Sequence, residues 1–289
     1  MLGLLAAALE RHWSRHREAR RRCRRACTAD AVHDLRTEAR RLLACLDLLE
    51  SLYFFSALTE ARRLLKRRLN ASSALRDLHV QLELADEVPG SEMELASFRT
   101  HILAAEAREA RRLAQRLKEP RLAKSIAALR KFLRWMPADP RSDARLRRRL
   151  RGTLAGKFDR MAGLQRGALA DPSALHSARV ALKKFRYMAE ALKPVLGPGC
   201  ADELELLHRC QAKQGAIHDL DLILARLATE RTPAGEKPRA TCRALSRQRF
   251  ALRRSYRALA GRCFRDEEAV ARMKKALAQL GATTPPLRK

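Results

Sequence analysis

Apolar residues recur at every third or fourth position along nearly the whole chain, which is the spacing of amphipathic helices. One such stripe comprises Leu175, Ala178, Leu182, Phe185, Ala189 and Leu192. A second comprises Val32, Leu35, Ala39, Leu42, Leu46 and Leu49. No run of alternating β-branched residues indicates a strand, so the pattern predicts an all-α fold.

Capping and turn residues divide this pattern into six helices in each half of the chain. In the first half they are expected at about residues 2–27, 30–50, 55–72, 75–88, 91–118 and 120–136. In the second half they are expected at about 141–169, 172–196, a segment ending at Gly215, a segment carrying His218, 237–262 and 266–280. Two prolines within residues 137–140 predict a linker between halves 1–136 and 141–289, and residues 283–289 are expected to fray.

A histidine begins a basic segment on one predicted helix of each half. At about 100° per residue, Arg179, Lys183 and Arg186 fall within roughly 80° of His176. These cations therefore flank the apolar stripe instead of lying on the opposite, solvated face. The two basic segments comprise His33, Arg36, Arg40 and Arg41 in the first half and His176, Arg179, Lys183, Lys184 and Arg186 in the second. Such strips of like charge are expected where a bound anion offsets their repulsion.

A second pair of motifs repeats at the same offset. Asp219 follows Asp77 by 142 residues, and His176 follows His33 by 143. Two motifs at one offset indicate an internal duplication, so we expect two pseudo-symmetric helical bundles. The candidate supporting residues are Arg76, Asp77, His218, Asp219 and Asp221. Their carboxylates could orient an arginine or a histidine of the basic segments, or they could cap helices or pair on the surface.

Charge narrows the class of partner. Lys and Arg number 61 against 32 Asp and Glu, which gives a formal net charge of +29. Most of these cations are Arg, whose planar fork binds phosphate oxygens in pairs. An Arg-rich composition alone would not place cations at matched positions in two halves. A polyanionic, phosphate-containing partner is therefore expected.

Several other classes of function lack their motifs. The sequence has no Gly-rich phosphate loop, zinc-finger cysteine spacing, nucleophile elbow or cluster of acidic residues, so we expect no enzyme and neither a cofactor nor a metal. The seven cysteines are odd in number and scattered, which favours free thiols in a reducing compartment. No apolar run reaches the roughly 18 residues of a membrane span, and the first residues are not typical of a signal peptide. A soluble, cytoplasmic protein is expected.

The ordered motifs resemble the conserved histidine α-helical domain, or CHAD, over essentially the whole chain. His176-x-x-Arg179-x-x-x-Lys183-Lys184-x-Arg186 with His218-Asp-Leu-Asp221 is similar to the second half of that family, and His33-x-x-Arg36-x-x-x-Arg40-Arg41 with Arg76-Asp-Leu78 is similar to the first. The resemblance implies two four-helix bundles with a basic surface and cavity between them that binds inorganic polyphosphate. It also implies association with polyphosphate granules in a bacterial cell.

Three departures from the family pattern occur in the first half. Leu43 stands at the position of Arg186, His79 at that of Asp221, and Ser73 at that of Gly215. We therefore expect the first half to bind its ligand less tightly than the second. The alternative to a polyphosphate-binding protein is a basic helical protein that binds nucleic acid without specificity, because net charge attracts any phosphate chain. Aromatic residues make up only 4% of the chain, which disfavours binding to single strands.

Overall fold

The computed structural model describes residues 1–89, 92–117, 121–136, 140–196 and 200–281, and these ranges contain helices and turns without a strand. The predicted all-α class is confirmed. The helices are α1 (Leu2–Arg25), α2 (Ala29–Glu50), α3 (Ser56–Ala71), α4 (Ser73–Asp86), α5 (Ala96–Arg116), α6 (Arg121–Trp135), α7 (Pro140–Ala170), α8 (Leu175–Ala191), α9 (Lys193–Leu196), α10 (Ala201–Leu227), α11 (Arg239–Phe264) and α12 (Glu267–Ala278).

Most predicted helix ends lie within a few residues of the observed ones. Helix α5 is an exception, because turns occupy residues 92–95 and the helix begins only at Ala96. Pro140, predicted to lie in the linker, is the first residue of α7, where the missing N–H of proline costs no hydrogen bond. The predicted turn at Gly90, the helix start at Pro120, linker residues 137–139, the helix end at 197–199 and the tail at 283–289 lie outside the described residues.

The predicted helix break at Gly215 is wrong, because α10 continues through this residue. One glycine inside a helix costs only about 1 kcal/mol, and burial of the neighbouring Gln214 and Ile217 holds the helix in place. The matching position of the first half does separate α3 from α4. There the Ser72 and Ser73 hydroxyls donate to the Leu69 carbonyl, each at 3.0 Å, and so compete with the helical hydrogen bonds.

Four helices that carry the sequence motifs meet at the centre of the molecule. Helix α2 packs against α8, and α4 packs against α10. On the outside, α1 lies on α2, α3 on α6, α7 on α8, and α11 on α10. The largest cluster of buried apolar side chains contains residues from both sides of the predicted linker, among them Leu46, Phe158 and Leu182. The two predicted halves therefore share one core.

Within the described residues, every helix is too short or too polar to cross a membrane.

Candidate functional site

A cleft of about 290 Å³ opens where α2, α4, α8 and α10 meet, and we call it the central cleft. It is lined by His33, Arg36, Arg40, Ser73, Arg76, Asp77, Val80, Arg179, Lys183, Gly215, His218 and Asp219. Nine of the fourteen residues singled out in the sequence are in this set. The structure thus brings together residues from both predicted halves, including the matched pairs Arg36 and Arg179, Arg40 and Lys183, and Asp77 and Asp219.

Helical spacing explains which residues of each basic segment enter the cleft. The cations three and seven positions after each histidine share one side of their helix, at roughly 60° and 20° from it. Arg41 and Lys184 follow at position eight and lie roughly 80° to the other side. Arg41 donates to Glu38 at 2.6 Å, and Lys184 pairs with Asp47 at 3.1 Å. Neither lines the central cleft.

Four cations of the cleft lack a direct partner. Within the described part of the chain, no hydrogen bond or ion pair joins the side chain of Arg40, Arg76, Arg179 or Lys183 to another residue. The Nε atom of Arg179 is buried without an acceptor. Elsewhere many arginines are paired, as Arg62 is with Asp47 and Glu50. The cleft therefore holds several like charges that have no direct partner in the surrounding protein.

Burial and mutual repulsion lower the pKa values of several basic groups in the cleft. Burial, together with Arg179 and Arg40, lowers the pKa of Lys183 to about 7. Burial, with Arg40 nearby, lowers the pKa of Arg36 to about 10. Burial and Arg179 lower the pKa of His218 to about 4, so this imidazole is neutral at pH 7. Since each cation disfavours the charge of its neighbours, an anion in the cleft would raise these pKa values.

Arg36 has a structural contact as well as a position in the cleft. Its Nη1 atom donates to the Leu69 carbonyl at 2.7 Å and to the Ser72 hydroxyl at 2.9 Å. The side chain is only 9% exposed. Arg36 therefore caps the end of α3 and fixes the break between α3 and α4. Arg179, the matched residue in the second half, does not cap a helix end, because α10 is continuous at the corresponding position.

Asp77 and Asp219 lie in the cleft without a direct contact to an arginine. Within the described residues neither carboxylate forms an ion pair or a hydrogen bond. Burial raises the pKa of both groups, and the surrounding arginines act in the opposite direction. The predicted role of holding an arginine at a fixed angle is therefore not seen for these two residues. They moderate the positive charge of the cleft instead.

Arg186 lies outside the central cleft, although the sequence predicted it as a binding residue. It is buried, its Nε donates to Gln211 Oε1 at 2.8 Å, and its guanidinium is 4.5 Å from the centre of the Tyr187 ring. It also pairs with Glu190. These contacts satisfy its charge inside the protein. Leu43 stands at the position of Arg186 in the first half. Since Arg186 makes no contact in the central cleft, an uncharged residue at position 43 costs the first half no contact there.

His176 and Asp221 line a second cavity, which we call the side pocket. It encloses about 170 Å³ and is lined by Ser173, Leu175, His176, Arg179, Gln214, His218, Asp221 and Arg253. The rings of His176 and His218 have centroids 6.0 Å apart, and the pocket shares Arg179 and His218 with the central cleft. Asp221 accepts from Arg249 and Arg253, each at 3.1 Å, so it does orient arginines, but those of α11.

The sequence motifs missed Arg249 and Arg253 because no matched residue marks them in the first half. They lie four residues apart on α11 and reach the site only through the packing of α11 on α10.

A third cavity of about 300 Å³ lies beside the central cleft and shares Arg40, Arg179 and Lys183 with it. Lys66 and Lys184 extend this basic surface. Within the described residues, no group of three or more His, Cys, Asp or Glu could hold a metal ion.

Comparison with known proteins identifies relatives of this architecture. The CHAD domain model matches residues 6–228. The CHAD domain from the plant Ricinus communis shares the fold with a TM-score of 0.63 at 20% identity, over 98% of this chain and 92% of that one. PptA from Streptomyces chartreusis gives a TM-score of 0.57 at 21% identity, over 96% and 99%. Among curated proteins none matches the chain.

Proposed function

Because the chain belongs to the CHAD family, we propose that it is a non-enzymatic protein that binds inorganic polyphosphate in the central cleft and associates with polyphosphate granules. The observation that carries this proposal is a set of four cations without a direct partner, supplied to one cleft by both halves of the chain: Arg40, Arg76, Arg179 and Lys183. A chain of phosphates carries a negative charge at each unit and presents oxygens to every guanidinium fork.

The lining of the cleft favours phosphate over bases. Among the described residues of this lining the only aromatic rings are those of two histidines, so the cleft offers little surface on which bases could stack. Burial lowers the pKa of both histidines and so favours their neutral form, which can donate a hydrogen bond to a polyanion without adding charge. Nucleic acid could still bind to the exposed basic surface through charge alone.

Competition between polyphosphate and duplex DNA tests the proposal. At physiological salt, with both ligands expressed per phosphate, we expect polyphosphate to win by at least about tenfold, because an organised cleft should exceed the diffuse attraction of a basic surface. Equal competition would favour the nucleic-acid alternative.

A pair of matched variants locates the binding site. One variant changes Arg40, Arg76, Arg179 and Lys183 to Gln. The control changes the exposed Arg108, Arg111, Arg145 and Arg148 to Gln, which removes the same number of cationic side chains from residues without an ion pair in the described structure. We expect the cleft variant to lose about 100-fold or more in affinity and the control to lose less than about fivefold. Equal losses would mean that only total charge matters.

A further inference from the structure

A buried glutamine faces the side pocket with its carbonyl oxygen unpaired. Gln214 is fully buried, and its Nε2 donates to Gln165 Oε1 and to the Tyr256 hydroxyl, each at 3.0 Å. The Nε2 of Gln165 is itself committed to the Ala178 carbonyl at 2.9 Å. A flipped Gln214 amide would therefore place one carbonyl oxygen against another. This network fixes Nε2 toward Gln165 and leaves Oε1 of Gln214 without a donor.

Two buried donors line the same pocket. The Nε atoms of Arg179 and Arg253 are both buried without an acceptor in the described structure. The residues that line the pocket thus include one unused acceptor and two unused donors, although buried polar groups are normally paired. Among the described residues that line it Asp221 is the only carboxylate, and this group already accepts from Arg249 and Arg253. The remaining charge in the pocket is positive, so its occupant should be an anion.

This combination selects a particular kind of anion. Its charged oxygens must accept from the two arginines, and it must also donate a hydrogen bond to Gln214. Sulfate and carboxylates carry no proton at neutral pH and cannot donate. A phosphate group can donate through its hydroxyl when it is protonated: its last proton has a pKa near about 6, and the unpaired acceptor of Gln214 favours the protonated form. Within a polyphosphate chain the internal units lack this hydroxyl, and the terminal unit has it.

We propose that the side pocket binds a hydroxyl-bearing phosphate group, and specifically the terminal phosphate of a chain whose next units lie in the central cleft. The shared residues Arg179 and His218 connect the two cavities, so one chain can occupy both. This proposal rests on the proposed function, and it adds that the protein recognises chain ends. Free orthophosphate has the same chemistry and is the other source to be distinguished.

The test compares two forms of one ligand by calorimetry at pH 5, where the free terminal phosphate carries its proton and the two forms have the same charge. One is a linear polyphosphate of defined length with free ends, and the other is the same chain with both ends methylated, which removes the terminal hydroxyl. We expect the wild-type protein to bind the free-ended chain about tenfold more tightly, the loss typical of a charge-assisted hydrogen bond. Orthophosphate alone should bind far more weakly than either chain.

Arg253→Gln and Arg249→Gln form the matched pair of variants. Both arginines donate to Asp221 at 3.1 Å, but only Arg253 lines the side pocket. Arg253→Gln should reduce the preference for free ends to less than about twofold, whereas Arg249→Gln should keep it. Gln214→Met and Gln165→Met provide a second pair, since both disrupt the buried network and only the former removes the acceptor from the pocket.

The outcomes separate this proposal from the proposed function. Equal wild-type affinity for free and methylated chains would overturn end recognition while polyphosphate binding stood. Absence of binding to either chain would overturn the proposed function itself. If Arg249→Gln lost the preference for free-ended chains as Arg253→Gln does, the preference would depend on the charge near Asp221 and not on the side pocket. Orthophosphate binding as tightly as the free-ended chain would assign the pocket to free phosphate instead of a chain end.

Discussion

Two arginines of α8 show how the surroundings of a residue decide its role. Arg179 and Arg186 lie on almost the same side of the helix, two turns apart. Helix α10 runs antiparallel to α8, since His176 lies beside His218 while Arg186 contacts Gln211. Arg179 therefore meets the cleft, whereas Arg186 meets Gln211 and Glu190. Helical spacing predicted the side of the helix, but the neighbour at each turn depends on packing between helices.

Arg179→Gln and Arg186→Gln should consequently have opposite effects. Arg186→Gln leaves Glu190 without its partner, so we expect a loss of about 1–2 kcal/mol in the free energy of unfolding and less than about a threefold change in polyphosphate affinity. Arg179→Gln removes a repelled cation, so stability should be unchanged or higher while affinity falls at least about tenfold. Urea denaturation and calorimetry measure both quantities. An affinity loss in Arg186→Gln without loss of stability would contradict this assignment.

The amine of Lys183 should make stability depend on pH. Its pKa is about 7 in the folded protein, below the ordinary value of 10.5. Between these two values the unfolded chain binds more protons, so this residue makes the protein more stable as pH rises through that window. Lys183→Met should therefore stabilise the protein most below pH 7, and the gain should vanish by about pH 10.5. Urea denaturation at pH 6.5, 8 and 10 measures this.

Ligand binding supplies the control for Lys183. A polyanion in the cleft raises the pKa of the amine, so binding to the wild-type protein at about pH 8 should take up a proton. Calorimetry in buffers of different ionisation enthalpy measures that uptake, and Lys183→Met should reduce it. Uptake equal in both proteins would assign the proton to another group.

At the scale of elements, sequence patterns predicted helices well and their continuity less well. The apolar stripes of α2 and α8 follow from local spacing, and the structure has both. Ser73 and Gly215 occupy matched positions, yet α4 begins at one and α10 passes through the other. The difference depends on hydroxyl contacts to Leu69 and on Arg36, which reaches from another helix. Such tertiary contacts leave no periodic signal in the sequence.

Gly215 offers a direct test of this explanation. A Cβ atom added there would meet nothing within 4 Å. Since the residue lies inside a regular helix, Gly215→Ala should stabilise the protein by about 0.5–1 kcal/mol through lower entropy of the unfolded chain. Thermal and urea unfolding measure the gain, and Ala216→Gly, at the next position of α10, should show the opposite sign. A destabilised Gly215→Ala protein would indicate that the helix needs flexibility at this point.

At the scale of the whole molecule, the cleft exists only because two halves share a core. Each half supplies one basic helix and one Asp-containing segment, and the packing of α2 on α8 and α4 on α10 brings them together. The offset of the motifs predicted which residues would correspond. Their convergence on one cleft depends on how the two halves pack against each other. The expectation of a basic cavity between the halves came from the resemblance to the CHAD family, not from the spacing of the motifs. The internal duplication itself remains a prediction from the sequence.

Salt dependence distinguishes the cleft from the overall charge of +29. Each phosphate that a cation neutralises releases counterions and contributes about −0.7 to the slope of log affinity against log salt for a flexible chain. Four cleft cations should therefore account for about three units of the wild-type slope. The variant with Arg40, Arg76, Arg179 and Lys183 changed to Gln should lose most of those units. The variant with Arg108, Arg111, Arg145 and Arg148 changed should lose less than about one, because these residues lie outside the cleft. Equal slopes in the two variants would mean that the bound chain follows the diffuse field of the protein and that convergence of the four helices has no part in holding it.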